Sequence, residues 1–188
     1  TYWSGTNVPT NYLSWLEAAQ FVNWLNISTN HQEAYKFTGT QGTSNYTLDT
    51  WSVAEASGGT NLYRHKDTMY FLPTEDEWIK AAYWNGTSIQ TYATVGDVVP
   101  VPGVDTNYNA GEAGQPWNVG SGNAEINGTF DMMGNLHEWL ESPYNDTNYG
   151  VGAERCSHGG SYVNNSDYLR SSPPVDSYYT TDLENHHI

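Results

Sequence analysis

The 188-residue chain has little positive charge: six Lys and Arg side chains stand against 21 Asp and Glu, which gives a net charge of −15. Because this charge repels phosphate backbones, and no basic stretch offsets it locally, we expect no binding to nucleic acid. The chain also lacks any run of about 18 apolar residues, so the sequence predicts no membrane-spanning helix. Its mean hydropathy of −0.65 agrees with this prediction.

Cysteine is almost absent as well. The single cysteine, Cys156, excludes an intrachain disulfide, a CxxC redox pair and a zinc site built from several thiolates. We expect Cys156 to be a small buried apolar side chain. Charged residues are too few, at 14%, for a disordered polyelectrolyte, whereas 14% of aromatic residues can supply a substantial core. The remainder, rich in Asn, Thr, Ser and Gly, is common in exported proteins, and we expect an extracellular or cell-surface location.

Two segments carry the sequence signals of helices, and the first lies near the start of the chain. Ser14 is followed three residues later by Glu17, and this capping box predicts a helix over residues 14–26. We expect the side chains of Phe21 and Trp24 to broaden the apolar face of that helix.

The second helix signal lies at Thr74 and Glu77, which repeat the capping box and predict a helix over residues 74–84. Between the two helices, we expect strands over residues 34–38 and 69–72, in hairpin-like pieces joined by Gly, Ser and Thr turns. The second half of the chain is irregular and rich in Gly and Pro. Together these signals predict an α+β fold class.

Three motifs follow one another along the chain: FLPTEDEWIKAAYW (71–84), GTFDMMGNLHEWLES (128–142) and RCSHGGSYVNNSDYLRSS (155–172). In this order and spacing they resemble the formylglycine-generating-enzyme family, also called the sulfatase-modifying-factor domain. The resemblance implies a variant C-type-lectin fold, with a small twisted antiparallel sheet, two helices and much irregular loop. It further implies a single domain over residues 1–188 that lacks the family's first strand and helix and its last strand, as an excerpt of a longer domain would.

The resemblance also indicates which residues oxidase chemistry would need. Oxidase members of the family bind copper through two thiolates, and the chain has Asn164 and Leu169 at those positions. Related sulfoxide synthases use an iron site of three histidines, but the six histidines here show no HxxxH or HxH spacing. We therefore expect neither copper nor iron and favour a non-catalytic protein. A metal-dependent oxidase is the less favoured alternative.

One metal site of the family does match this sequence residue by residue. The resemblance implies a structural calcium, and calcium prefers several hard oxygen ligands. We also expect a short helix at Glu138 that buries Trp139 beside Trp78. The alternative is that the two carboxylates only cap turns. The implied ligands are the side chain of Asp131, the main-chain oxygens of Gly134 and Leu136, and the side chain of Glu138.

The C-terminal segment, residues 162–187, combines Tyr with Asn, Ser, Asp and His, as antibody paratopes combine aromatic anchors with adaptable polar groups. In the family fold, this segment lies on the face where catalytic members hold substrate. Changes at the adenines of an Asn codon produce codons for these residue types. This pattern fits diversification of the segment by a retroelement. An ordinary solvated loop is the alternative. The predicted ligand-binding residues are Tyr162, Asn164, Asn165, Tyr168, Arg170, Tyr178 and Tyr179.

These observations favour a non-catalytic, exported ligand-binding or surface-display module on this scaffold. Its partner would be a protein or a carbohydrate, bound through the C-terminal segment. The alternative from another class is a structural subunit of an extracellular or cell-surface assembly, which would self-assemble through unpaired strand edges. Six Asn-x-Ser/Thr sequons permit glycosylation, at Asn26, Asn45, Asn85, Asn127, Asn145 and Asn164.

Overall fold

The computed structural model describes residues 5–58, 61–110, 114–144 and 154–173, in which short strands follow each of two α-helices. The α+β fold class is confirmed. In chain order, the elements are α1 (Trp15–Ser28), β1 (Lys36–Thr38), β2 (Thr47–Asp49), β3 (Ala56–Gly58), β4 (Asn61–His65), α2 (Glu75–Tyr83), β5 (Glu138–Pro143), β6 (Arg155–His158) and a 3-10 helix (Ser166–Leu169).

The two helices begin at their predicted caps, Ser14 for α1 and Thr74 for α2. In each cap, the hydroxyl accepts a hydrogen bond from the N–H three residues later, and the glutamate at that position accepts one from the cap's own N–H. The expected broad apolar face of α1 is wrong at Phe21 and Trp24, whose side chains are about 60% exposed. No helix among the described residues is long and apolar enough to cross a membrane.

The described strands form three separate antiparallel ribbons of two strands each, where we expected one small sheet. β1 pairs with β2, β3 with β4, and β5 with β6. The strand expected over residues 69–72 does not form. Instead, the amide side chain of Asn26 binds this stretch: its Oδ1 accepts from the backbone N–H of Tyr70 at 3.0 Å, and its Nδ2 donates to the Tyr70 carbonyl at 2.8 Å.

β5 separates two clusters of buried side chains, because successive residues of a strand point to opposite faces. Trp139 belongs to the cluster around α1, and the next residue, Leu140, belongs to the cluster around α2. The expectation of a short helix at Glu138 with Trp139 beside Trp78 is therefore wrong. Trp139 packs in the α1 cluster, and its indole Nε1 donates to the carbonyl of Leu13 at 2.9 Å.

Candidate functional site

The turn that precedes β5 carries the predicted calcium ligands, and its backbone is tightly constrained. Asp131 and Gly134 both have positive φ, at 60° and 75°. At Gly134 a Cβ atom would lie 2.4 Å from the carbonyl oxygen of Asn107, so this position needs glycine for space as well as for conformation. The Gly134 N–H donates to the carbonyl of Gly159 at 2.7 Å, which ties the turn to the end of β6.

The two carboxylates of this turn are held by neighbouring N–H groups. Asp131 accepts from the indole Nε1 of Trp117 at 2.8 Å and from the backbone N–H of Gly120 at 2.7 Å. Glu138 accepts from the indole Nε1 of Trp78 at 2.5 Å. Burial, together with the negative charge of Asp131, raises the pKa of Glu138 to about 7, although the hydrogen bond from Trp78 opposes this increase. The site therefore concentrates negative charge in a poorly solvated place.

A cavity of about 440 Å³ opens beside the two carboxylates. It brings together three of the four predicted calcium ligands, and the fourth, Gly134, lies in the same turn. Within the described ranges, no group of three His, Cys, Asp or Glu side chains is arranged to hold a metal, so any cation here would depend on carbonyl oxygens or water as well. The lining residues are Pro9, Thr10, Val119, Gly120, Phe130, Asp131, Asn135, Leu136, His137 and Glu138.

His137 connects this cavity with the C-terminal segment. Burial lowers the pKa of His137 to about 4, and a hydrogen bond with the side chain of Asn164 opposes that decrease only in part. The imidazole is therefore neutral at physiological pH. Asn135, two residues earlier, accepts a hydrogen bond at its carbonyl from the N–H of Tyr162 at 2.9 Å. The predicted metal turn and the predicted binding segment are thus direct neighbours.

Main-chain hydrogen bonds hold the first residues of the predicted binding segment. The carbonyl of Tyr162 accepts from the N–H of Ala110 at 2.8 Å, and that of Asn164 accepts from the N–H of Asn109 at 2.7 Å. The side chain of Asn164 also has a structural role, because its Oδ1 accepts from both the N–H and the hydroxyl of Ser161 at 2.8 Å. Tyr162 and Asn164 are each partly exposed.

The remaining predicted binding residues divide into those on the 3-10 helix and those outside the described residues. Asn165 caps the helix by accepting from the N–H of Asp167, and Tyr168 is partly exposed on it. Arg170 is exposed, pairs with Asp167 at 3.2 Å and donates from Nε to the hydroxyl of Tyr92 at 3.3 Å. The other two members of the prediction, Tyr178 and Tyr179, lie outside the described residues.

Neither of the two positions where oxidase members of the family have copper thiolates presents a metal ligand at the surface. Leu169 is completely buried in the α2 cluster, and the amide oxygen of Asn164 is occupied by Ser161. Cys156 is buried, as predicted: it lies on β6, is 3% exposed, and its thiol donates to the carbonyl of Pro143 at 3.4 Å. The residues present therefore do not fit a copper site of two thiolates.

A second acidic site was missed by the sequence analysis. Asp105 and Glu125 line a cavity of about 290 Å³, together with Val95, Val98 and Met133. Burial raises the pKa of Glu125 to about 7, although hydrogen bonds from Thr129 and from the N–H of Met133 oppose this. The two acids are 20 positions apart in irregular loops, and no motif in the sequence indicates that they line one cavity.

The comparison with known proteins gives a family, and the similar structures include a Treponema denticola protein and CarF. The model of the sulfatase-modifying factor enzyme 1-like domain matches residues 1–179. Treponema denticola variable protein 1 superposes with a TM-score of 0.71, at 18% identity over 97% of this chain and 69% of that one. CarF gives 0.62, at 26% identity over 88% of this chain and 61% of CarF, which is less than two thirds of its length. No curated protein matches the sequence.

The family match extends over nearly the whole chain, and both similar structures agree with it in fold. The resemblance carried by the three motifs is thereby confirmed. The chain belongs to the family of sulfatase-modifying factor enzyme 1-like domains.

Proposed function

We propose that the chain is a non-catalytic module that acts at the cell surface or outside the cell and binds a protein or carbohydrate through its C-terminal segment. The observation that carries this proposal is the state of the two positions where oxidase members have thiolates. Leu169 is a core residue, and Asn164 closes a turn on Ser161. A scaffold that keeps the family fold while filling both positions structurally is better suited to presenting side chains than to copper chemistry.

The way the segment is anchored supports this role. Tyr162 is held through its backbone N–H and carbonyl, so its side chain can change without loss of those hydrogen bonds. Val163, Asn165 and Arg170 are exposed on the same stretch. Side chains presented on a rigid scaffold by anchored loops are a common basis of recognition. The Treponema protein of the same fold is named a variable protein, and we propose that the side chains of this segment vary among relatives of the present chain.

The binding role can be tested on a glycan array with the purified chain and with a variant that has two side chains of the C-terminal segment truncated to alanine. We expect the combined Tyr162→Ala and Arg170→Ala change to reduce the strongest glycan signal about tenfold or more, because interface aromatics and arginines carry much of the binding energy. Phe21→Ala, which removes an exposed ring from α1, is the matched control and should keep the signal. An equal loss in that control would contradict the assignment of the face.

The non-catalytic part has its own test. We expect the chain to add no oxygen consumption to that of Cu(I) and a cysteine-containing peptide alone, since neither Asn164 nor Leu169 supplies a thiolate. Turnover of the peptide with oxygen consumption above that background would overturn this part of the proposal and would leave the binding result unaffected.

We also propose that a structural calcium binds at the turn before β5. Asp131, Leu136 and Glu138 share one cavity, and the pKa of Glu138 is raised there by burial and by the charge of Asp131. A divalent cation would relieve this repulsion and would supply charge neutralisation with no catalytic role. Elemental analysis after dialysis against calcium should give about one ion per chain, and Asp131→Ala should lower that value, whereas Glu33→Gln, at an exposed acid elsewhere, should not.

A second candidate function, a structural subunit, is favoured by the outer face of α1. Phe21 and Trp24 stack there with ring centroids 5.6 Å apart, Ile27 lies 59% exposed nearby, and the last ten residues of the helix carry no charge. Charge depletion and exposed aromatic rings are typical of interface cores. Sedimentation velocity over a range of concentrations tests this candidate: assembly that Trp24→Ser abolishes would support it, and a monomer at all concentrations would exclude it.

A further inference from the structure

The cavity lined by Asp105 and Glu125 shares none of the residues of the proposed binding face, and it borders the proposed calcium turn through Met133. Its volume is about 290 Å³, and Val95, Val98, Ala124 and Met133 supply the apolar part of its walls. Thr94 and Asn123 lie in the polar part, beside the two acidic groups. This combination matches a ligand that is apolar along its length and positively charged at its end.

The rim of this cavity is unusually apolar for an exposed loop. Val95 is 78% exposed and Val98 is 57% exposed. Three further valines of the same loop, Val99, Val101 and Val104, are each more than half exposed. A series of exposed β-branched side chains along one loop of a protein with a net charge of −15 indicates a surface that contacts another molecule.

The two carboxylates in the cavity are positioned by hydrogen bonds and have no cationic partner among the described residues. Glu125 accepts from the Thr129 hydroxyl at 2.7 Å and from the Met133 N–H at 3.0 Å. Asp105 accepts from the Asn123 amide at 2.8 Å and from the N–H of Val101 at 2.6 Å. Neither forms an ion pair with any Lys, Arg or His in the described part of the chain.

Burial makes this arrangement costly in the isolated chain. Glu125 is only 7% exposed, and the loss of solvation raises its pKa to about 7. A positive charge that enters the cavity would favour the ionised form and gain from the poorly solvated surroundings. Each carboxylate is already fixed by neutral donors, so little reorganisation would be needed.

We propose that this cavity receives a lysine or arginine side chain from a partner polypeptide. The aliphatic part of that side chain lies against Val95, Val98 and Met133, and its charged end meets Asp105 and Glu125. The exposed valines around the rim then contact the backbone of the partner on either side. The partner is therefore basic at the point of contact and apolar beside it, which complements the acidic chain and its valine loop.

The test uses amide NMR of the isotopically labelled chain at an ionic strength of about 0.15 M, where long-range attraction to the acidic surface is screened. The probes are the Nα-acetyl methylamides of lysine and arginine, and the norleucine analogue is the uncharged control. We expect saturable shifts at Val98, Asn123 and Glu125 with at least one of the two cationic probes. Norleucine should give shifts that are smaller and do not saturate.

Variants separate this site from general charge attraction. We expect Glu125→Gln and Asp105→Asn each to weaken the cationic probe about fivefold or more, as removal of one carboxylate from a charge contact would. Glu33→Gln removes the same charge from an exposed acid elsewhere and should leave binding unchanged. Amide spectra identical to the wild type outside the cavity show that each variant is folded.

Several results would overturn the proposal. These are absence of shifts with both cationic probes, equal shifts with norleucine, and an equal loss in Glu33→Gln. Displacement of the probe by millimolar calcium would indicate that this cavity binds a metal ion instead of a cationic side chain. The variants touch none of the residues of the C-terminal binding face, so failure here leaves the proposed function standing.

Discussion

Glu125 is a carboxyl group whose surroundings differ strongly between the folded and the unfolded chain. Its folded pKa is about 7, against 4.5 in the unfolded chain, because burial disfavours the charged form. A raised pKa contributes stability that is fully present below pH 4.5 and is lost as the pH rises through 7. We therefore expect Glu125→Gln to stabilise the fold at pH 8 by up to about 3 kcal/mol and to change it little at pH 4.5.

Urea denaturation of both proteins at pH 4.5 and pH 8 measures this difference. Gln can still accept from the N–H of Met133, so the variant keeps its main contact. Glu33→Gln should show no such pH-dependent gain. The negative charges of Glu138 and Asp131 also raise the pKa of Glu125, so the measured difference includes the relief of this repulsion as well as the burial of Glu125. Equal stabilities at pH 8 would contradict the prediction.

The Asn residues of the glycosylation sequons differ in their exposure to solvent. Asn26 is completely buried, and its amide binds the carbonyls of Val22 and Tyr70. Asn45, Asn85 and Asn127 are exposed, although Asn127 also donates to a backbone carbonyl. Asn164 is partly exposed, and Asn145 lies outside the described residues.

We therefore expect folded protein secreted from a glycosylating host to carry no glycan at Asn26, since a sugar there would displace its hydrogen bonds. Sites that are occupied should come from the exposed set, Asn45, Asn85 and Asn127. Peptide mapping by mass spectrometry after enzymatic deglycosylation reports the occupancy of each site. A glycan at Asn26 in native protein would contradict the complete burial of this side chain near the C-terminal end of α1.

At the scale of elements, the N-terminal cap of α1 makes a direct prediction. The hydroxyl of Ser14 accepts from the N–H of Glu17 at 3.2 Å, and the Glu17 carboxylate accepts from the N–H of Ser14 at 2.8 Å. We expect Ser14→Ala to lower the free energy of unfolding by about 1–2 kcal/mol, because Ser14 is almost completely buried at a helix start. Chemical denaturation measures the loss, and Ser28→Ala, at the exposed end of the same helix, should cost clearly less.

The helices could be predicted from sequence because a capping box is a local signal: both starts depend on residues three positions apart. The strand β5 could not be predicted in this way, because it depends on pairing with β6 (Arg155–His158), which lies well beyond it in the sequence. The same difference applies to the sites. Asp131 and Glu138 line one cavity because a single turn connects them, whereas Asp105 and Glu125 line one cavity only through the packing of irregular loops.

For the whole molecule, calcium and stability should be linked. A ligand that binds only the folded state at a hundredfold excess over its Kd adds about 2.7 kcal/mol to the free energy of unfolding. In a domain of this size, that raises Tm by roughly 5–10 °C. We expect Asp131→Ala and Glu138→Gln each to lose most of this increment, and Glu33→Gln to retain it. Scanning calorimetry with calcium and with a chelator measures it, and a Tm that calcium never changes in calcium-free protein would contradict the site.

The burial of Cys156 also makes the whole molecule accessible to a kinetic measurement. It carries the chain's single thiol, at 3% exposure on β6 within the α2 cluster. A thiol reagent can therefore modify the protein only when this ribbon opens, and the modification rate counts those openings. The C-terminal segment follows β6 closely in the chain. A ligand bound to that segment would therefore slow the thiol reaction by keeping the ribbon of β5 and β6 closed.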